Sequence, residues 1–241
     1  MFAWPVAQTN RETIRYGDDP SQHVELTLPA GSPRGVVVVI HGGFWKSAYD
    51  LTLGRPLAAD LVERGWATLN VEYRRVGSGG GVPMTLDDVR AAIGTLDDRG
   101  LDLTRVITLG HSAGGHLAAW AGGNVDAVTH VISQAGVLDL VAADRDGLGS
   151  GAVRAFLGHP AGAADAEADP SQQVPLDVPL WCVHGTDDDT VPVSQSLDYV
   201  AAATTAGAQA TMVEVTGDHF VLIDPATQAW RRTLAVLDEI G

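Results

Sequence analysis

The segment "GVVVVI" at residues 35–40 follows one glycine with five β-branched residues and no polar interruption. A strand with one wet face alternates polar and apolar side chains. An unbroken run of this kind is buried on both faces, as strands of a parallel sheet are. The same character recurs in "WATLNVEY" (66–73), "RVITLG" (105–110), "AVTHVIS" (127–133), "PLWCVHG" (179–185) and "ATMVEV" (210–215). "HVELTL" (23–28) alternates instead and reads as an earlier, more exposed strand. Helical patterns fall between these runs. "GRPLAADLVERG" (54–65) ends on Gly65, a helix stop. "TLDDVRAAIGTLDDRG" (85–100) has acidic residues in its first turn and Leu86, Val89, Ile93 and Leu96 at helical spacing. Further helices are expected through 113–121, 193–206 and 225–239. Strands alternating with such helices predict an α/β fold, with a mostly parallel central sheet and helices on both faces.

The 241 residues suit one domain, 1–241. Residues 1–22 are expected to pack on it as an N-terminal segment. "VGSGGGV" (76–82) reads as a flexible loop. "HPAGAADAEADPSQQVP" (159–175) interrupts the rhythm of strands and helices and reads as irregular. It belongs to an insertion of about residues 139–176, too short for a cap domain, over the C-terminal edge of the sheet. The net charge of −15 argues against nucleic acid or an anionic membrane as partner. No apolar run approaches the roughly 20 residues that span a bilayer. "MFAWPVAQTNRE" lacks the pattern of a signal peptide, so a cytoplasmic location is expected. Cys182 is the single cysteine; it excludes an internal disulfide and reads as a buried small hydrophobe.

The chemistry centres on "GHSAGG" (110–115), a Gly-x-Ser-x-Gly pattern between a predicted strand and a predicted helix. That context is what a nucleophile elbow requires. Its serine sits in a strained turn, and flanking glycines let neighbouring backbone approach. Ser112 is therefore the candidate nucleophile. A serine needs a base, and the base needs an orienting group. "HGTDDDTVP" (184–192) puts three adjacent aspartates in the loop after one strand. "TGDHFVLIDP" (216–225) puts His219 in the loop after the last strand. The order Ser, acid, His is the one this fold uses. "HGGFW" (41–45) follows "GVVVVI" and can turn backbone N–H groups toward a developing oxyanion. Donors are expected from Gly43, Phe44 and Ala113.

The four segments "HGGFW", "GHSAGG", "HGTDDDTVP" and "GDHF", in this order, resemble the α/β-hydrolase superfamily over residues 23–240. "HGGFW" with "GHSAGGHL" is most similar to the kynurenine formamidase (arylformamidase) and small carboxylesterase group. The resemblance selects Asp188, the fifth residue of its His-Gly segment, as the acid. It implies a cofactor-free serine hydrolase that cleaves a formyl or other small acyl unit from an aryl amine or an ester. A general short-chain carboxylesterase is the alternative, and a non-catalytic ligand-binding module on the same fold is the reading from another class. The group often has Tyr where this chain has Phe44.

The remaining expectations concern neighbours. Phe44, Trp45 and His111 are expected to contact a small-molecule ester or amide substrate. Phe44 and Trp45 would narrow the acyl pocket and offer an apolar surface to an aromatic leaving group; Phe2 and Trp4 more readily pack with the N-terminal segment. His41 is expected to brace its loop, and His116 to pack or hydrogen-bond. Glu72 and Arg74 are candidates for an ion pair. His23, His130 and His159 have no evident partner. His184 beside three aspartates lacks a second cluster that would complete a metal site, so no metal is expected.

Overall fold

The computed structural model describes residues 11–241; Phe2 and Trp4 lie outside them. Eight strands form one sheet: β1 (Arg11–Arg15), β2 (His23–Thr27), β3 (Val36–Ile40), β4 (Ala67–Val71), β5 (Val106–His111), β6 (His130–Gln134), β7 (Leu180–Gly185) and β8 (Ala210–Val215). Their spatial order is β1-β2-β4-β3-β5-β6-β7-β8. The β1–β2 and β2–β4 pairs are antiparallel, and every other pair is parallel. The fold is that of an α/β-hydrolase.

The run that opened the sequence lies in the middle of this sheet, and its period of two divides it between two cores. Val36, Val38 and Ile40 face one apolar layer, while Val37 and Val39 face the other. The first layer is closed by α2 (Met84–Gly94), α3 (Ala113–Asn124) and α6 (Ser194–Thr205). The second is closed by α1 (Arg55–Glu63) and α7 (Gln228–Ile240), whose Leu57, Leu61, Trp230 and Leu237 are buried. Helices on both faces explain why the central strand β3 carries no polar residue.

Two elements depart from expectation, and the described part of the N-terminal segment joins the sheet: residues 11–15 form the edge strand β1, mostly exposed and charged, as an edge strand can be. Strand β2 is buried and not exposed, because β1 covers its edge. The one carboxylate in its interior, Glu25, is held by Arg55 at 2.7 Å. Helix α2 stops at Gly94, short of residue 100, although Leu96 beyond it is still buried.

The 139–176 segment carries two short helices, α4 (Leu140–Arg145) and α5 (Ala152–Leu157), and three 3-10 turns. The fully buried Asp169 staples it, accepting from the backbone N–H groups of Leu140 and Ser171 and from the Gln172 side chain. Two ring N–H groups of α3 anchor it further: His116 donates to the Ala168 carbonyl and Trp120 to that of Glu167, both at 2.8 Å. No described helix is long and apolar enough to cross a membrane.

Candidate active site

Ser112 occupies the turn between β5 and α3 with φ 57° and ψ −121°. A non-glycine residue there costs about 1–3 kcal/mol, so its surroundings must impose it. The Ser112 N–H donates to the Gln134 carbonyl at 2.8 Å, and the Ser112 carbonyl accepts from His116 N–H at 3.1 Å. Two glycines make the turn sterically possible. A methyl on Gly110 would run into the Gly114 carbonyl. A methyl on Gly42 would stand 2.6 Å from the His111 carbonyl oxygen and 3.1 Å from Cβ of Ser112. The loop after β3 is thus pressed directly against the serine.

That loop is itself strained. Gly43, Phe44 and Trp45 have φ of 111°, 56° and 55°. His41 braces it: the ring stacks on Tyr73 at 4.4 Å, and its nitrogens face the Gly42 carbonyl at 2.8 Å and the Glu72 carboxylate at 3.2 Å. Backbone bonds from Val76 N–H to the Trp45 carbonyl and from Ser47 N–H to the Val76 carbonyl pin its far end. The N–H groups of Gly43 and Phe44 donate to no acceptor among the described residues. The N–H of Ala113 begins α3 and so has no partner within the helix.

Of the three consecutive aspartates, only Asp188 turns inward. Its side chain is fully buried, while Asp187 and Asp189 are exposed. Nδ1 of His219 lies 2.7 Å from Oδ2 of Asp188. Burial opposes the charge on Asp188, but hydrogen bonds from His184, His219 and the Val191 backbone outweigh it. Together they hold the carboxyl well below the usual carboxylate range. Gly185 lets the two loops meet, since a methyl there would collide with the Gly217 carbonyl.

His111 packs behind His219 with ring centroids 4.4 Å apart, and its Nε2–H donates to the His219 carbonyl at 2.8 Å. Burial, reinforced by the neighbouring His219, pushes the His111 imidazole down to about 3. It therefore stands as a neutral wall at neutral pH.

Several neighbours differ from expectation. Trp45 is not a wall beside the acyl site. It is 1% exposed, stacks on Phe156 at 4.5 Å, and donates its indole N–H to Nδ1 of His116 at 3.3 Å. A large ring with one polar atom is satisfied in the core, where it finds both an apolar stack and an acceptor. Phe44 is half-buried with its ring against Gly149 of the 139–176 segment and the Lys46 ammonium 5.4 Å from its centroid. Glu72 pairs with Arg75 at 2.6 Å and not with Arg74, which holds Asp88 at 2.7 Å. Strand β4 ends at Val71, so the period of two no longer applies there. His23 faces the Pro20 carbonyl, His130 meets Thr129 and stacks on Trp181, and His159 lies 3.4 Å from Asp165.

One site neighbour was not singled out in the sequence, and another was weighed there only as a metal ligand. Phe220 is 61% exposed, and its ring stands perpendicular to that of His219 at 5.3 Å. Its only signal is an apolar residue next to a candidate base in a polar loop. His184, weighed in the sequence only as a metal ligand beside the three aspartates, lies 3.2 Å from the Oδ2 that His219 also meets.

The BD-FAE family model matches residues 24–202 of this chain. Esterase LipC of Mycobacterium tuberculosis is 29% identical over 222 residues, covering 79% of this chain and 54% of LipC. Kynurenine formamidase of Danio rerio is 30% identical over 108 residues, covering 44% of this chain and 36% of that protein. The chain thus spans about half the length of LipC and a smaller share of the formamidase. Among solved structures, esterase B from Lactobacillus rhamnosis, inhibited by a tributyrin phosphonate, superposes with a TM-score of 0.81. It is 23% identical and covers 97% of this chain and 85% of the esterase. At that identity the likeness speaks for the fold.

Proposed function

This chain belongs to the BD-FAE family, within the α/β-hydrolases, and from that membership and the geometry of its site we propose that it is a cofactor-free serine hydrolase acting by acyl transfer. The observation that carries the reading is the 2.7 Å contact of His219 Nδ1 with Asp188, in a loop tied through the His219 carbonyl to His111, the residue before a serine held in a strained strand-to-helix turn. With Nδ1–H committed to the carboxylate, Nε2 of His219 is left to accept the Ser112 proton. Ser112 Oγ attacks the substrate carbonyl, and the oxygen takes negative charge before the N–H groups of Gly43, Phe44 and Ala113. His219 returns the proton to the leaving oxygen or nitrogen, whose bond to the acyl carbon breaks. Water, deprotonated by His219, then adds to the acyl-enzyme and releases the acid and Ser112.

The substrate reading is a small acyl group on an aryl formamide or ester. Phe220 supports a flat leaving group, because it projects beside the histidine that must protonate that group. The placement of Trp45 in the core favours the second reading, a general short-chain carboxylesterase. It removes one of the two rings expected to exclude longer acyl chains. The names of similar proteins include both an esterase and a formamidase.

A fluorophosphonate probe tests the mechanism. Wild type should be labelled once and Ser112→Ala not at all; label that persists in the variant ends the assignment. Turnover of N-formylkynurenine against p-nitrophenyl and ethyl esters tests the substrate. Ester hydrolysis without formamide hydrolysis would select the carboxylesterase.

A further inference from the structure

Three hydrogen-bond donors and the ring nitrogen of a second histidine converge on the buried carboxylate of Asp188. Oδ1 accepts from the backbone N–H groups of Thr190 at 2.9 Å and Val191 at 2.8 Å. Oδ2 accepts from His219 at 2.7 Å, and Nε2 of a second imidazole, that of His184, lies 3.2 Å from the same oxygen. His184 is fully buried at the end of β7. Its Nε2 also lies 2.9 Å from the Val191 carbonyl, and its Nδ1 lies 2.8 Å from Oγ of Ser196 on α6. The Val191 carbonyl and the carboxylate can only accept, so Nε2 carries a hydrogen; the Ser196 hydroxyl then fills Nδ1.

We propose that His184 is a positioning residue for the triad: its Nε2–H, oriented by Ser196, shares Oδ2 of Asp188 with His219. The inference rests on the serine-hydrolase reading. Packing alone does not account for the arrangement, since an apolar side chain could fill the same space. The polar line Ser196–His184–Asp188–His219 instead runs from α6 through the core to the base. Donation from His184 fixes the carboxylate while His219 changes charge. It also draws electron density from the oxygen that faces His219, which keeps the shared proton on the imidazole.

Removing this donor leaves more negative charge on Oδ2 for His219 alone. The protonated form of His219 is then better stabilised. The base must be unprotonated to act, so the acid limb of kcat/KM moves to higher pH. The titratable groups facing His219 are Asp188, with His184 behind it, from the loop after β7, and His111 from the end of β5.

The experiment compares His184→Leu and His184→Gln with wild type, using p-nitrophenyl acetate across pH and fluorophosphonate titration of Ser112. The Leu variant should lose about tenfold in kcat with KM little changed, and its acid limb should rise by about half a pH unit. The Gln variant, which keeps an N–H donor, should return the limb toward wild type. Should the Leu variant fail to fold by circular dichroism, Ser196→Val frees the imidazole orientation and should shift the limb in the same direction, by less. A folded Leu variant, or failing that a folded Ser196→Val, with an unshifted limb overturns the role of His184 even where kcat drops. Wild type that takes no label at Ser112 overturns the triad itself and this inference with it.

Discussion

His219 Nδ1 meets Oδ2 of Asp188 at 2.7 Å, across 31 residues of chain, while the two aspartates flanking Asp188 face solvent. The inward turn of one side chain among three identical ones gives the loop its chemical asymmetry. The three single Asp→Asn variants should differ accordingly. Asp188→Asn should lower kcat by about 10⁴-fold, the loss seen when a triad loses its orienting carboxylate. Asp187→Asn and Asp189→Asn should stay near wild type. A crippled Asp187→Asn or Asp189→Asn would place the orienting group elsewhere.

The contact between Gly42 and Ser112 makes the smallest possible substitution informative. Gly42→Ala puts a methyl 3.1 Å from Cβ of Ser112 and 2.6 Å from the His111 carbonyl, so the donor loop must retreat. We expect kcat to fall by about 100-fold, the scale of losing one oxyanion donor, with the fluorophosphonate reaction slowed in parallel. Wild-type turnover in a folded Gly42→Ala protein would show that the loop does not serve the reaction.

Phe44 and Trp45 are neighbours in sequence with opposite surroundings, and acyl-chain selection should separate them. Phe44→Ala should raise the octanoyl-to-acetyl ratio of kcat/KM by about tenfold, equivalent to relieving one or two poorly accommodated methylenes. Trp45→Phe should leave the ratio unchanged. It should instead lower stability by about 1–3 kcal/mol, because Nδ1 of His116 is left buried without its donor. Urea denaturation and p-nitrophenyl ester series read the two effects. A changed ratio in Trp45→Phe returns the indole to the pocket wall.

Two buried imidazoles make stability depend on pH. Burial lowers His111 to about 3, with His219 adding to the effect, and lowers His116 to about 4. Below the unfolded value of 6.5, the unfolded chain binds these protons and the folded chain does not. Stability therefore falls as pH drops from 6.5 toward about 4 for both residues, and on toward about 3 for His111. At pH 5 each should account for up to about 2 kcal/mol of loss, read as a lower urea midpoint than at pH 7. His116→Gln, uncharged at every pH, should flatten that dependence. An equally steep dependence in the variant would mean that His116 is already charged in the folded protein.

The sequence alone was enough for the parallel α/β architecture and for placing Ser112, the three aspartates and His219 directly after β5, β7 and β8. The signals involved are local. A run of β-branched residues, a helical spacing, or glycines around a serine each describe the few residues that form the element. Glu25 shows where such reading stops. An alternating strand looks half-exposed until Arg55 and a further edge strand cover it, and neither is visible from the strand. Trp45 shows the same limit at the site. An aromatic beside the proposed oxyanion donors looks like a pocket wall, but the stacking of Phe156 and the free nitrogen of His116, brought in by α5 and α3, draw it into the core.

Tertiary structure alone decided which neighbour each side chain met. Beyond the last hydrogen-bonded residue of a strand, direction is set by what packs against the loop, so Glu72 took Arg75 and not Arg74. For the same reason, the pairing of His184 and His219 on one oxygen of Asp188 arose only where β7, α6 and the loop after β8 converge. Each of those residues has an ordinary local sequence, and the shared buried carboxylate exists only once the chain has closed around it.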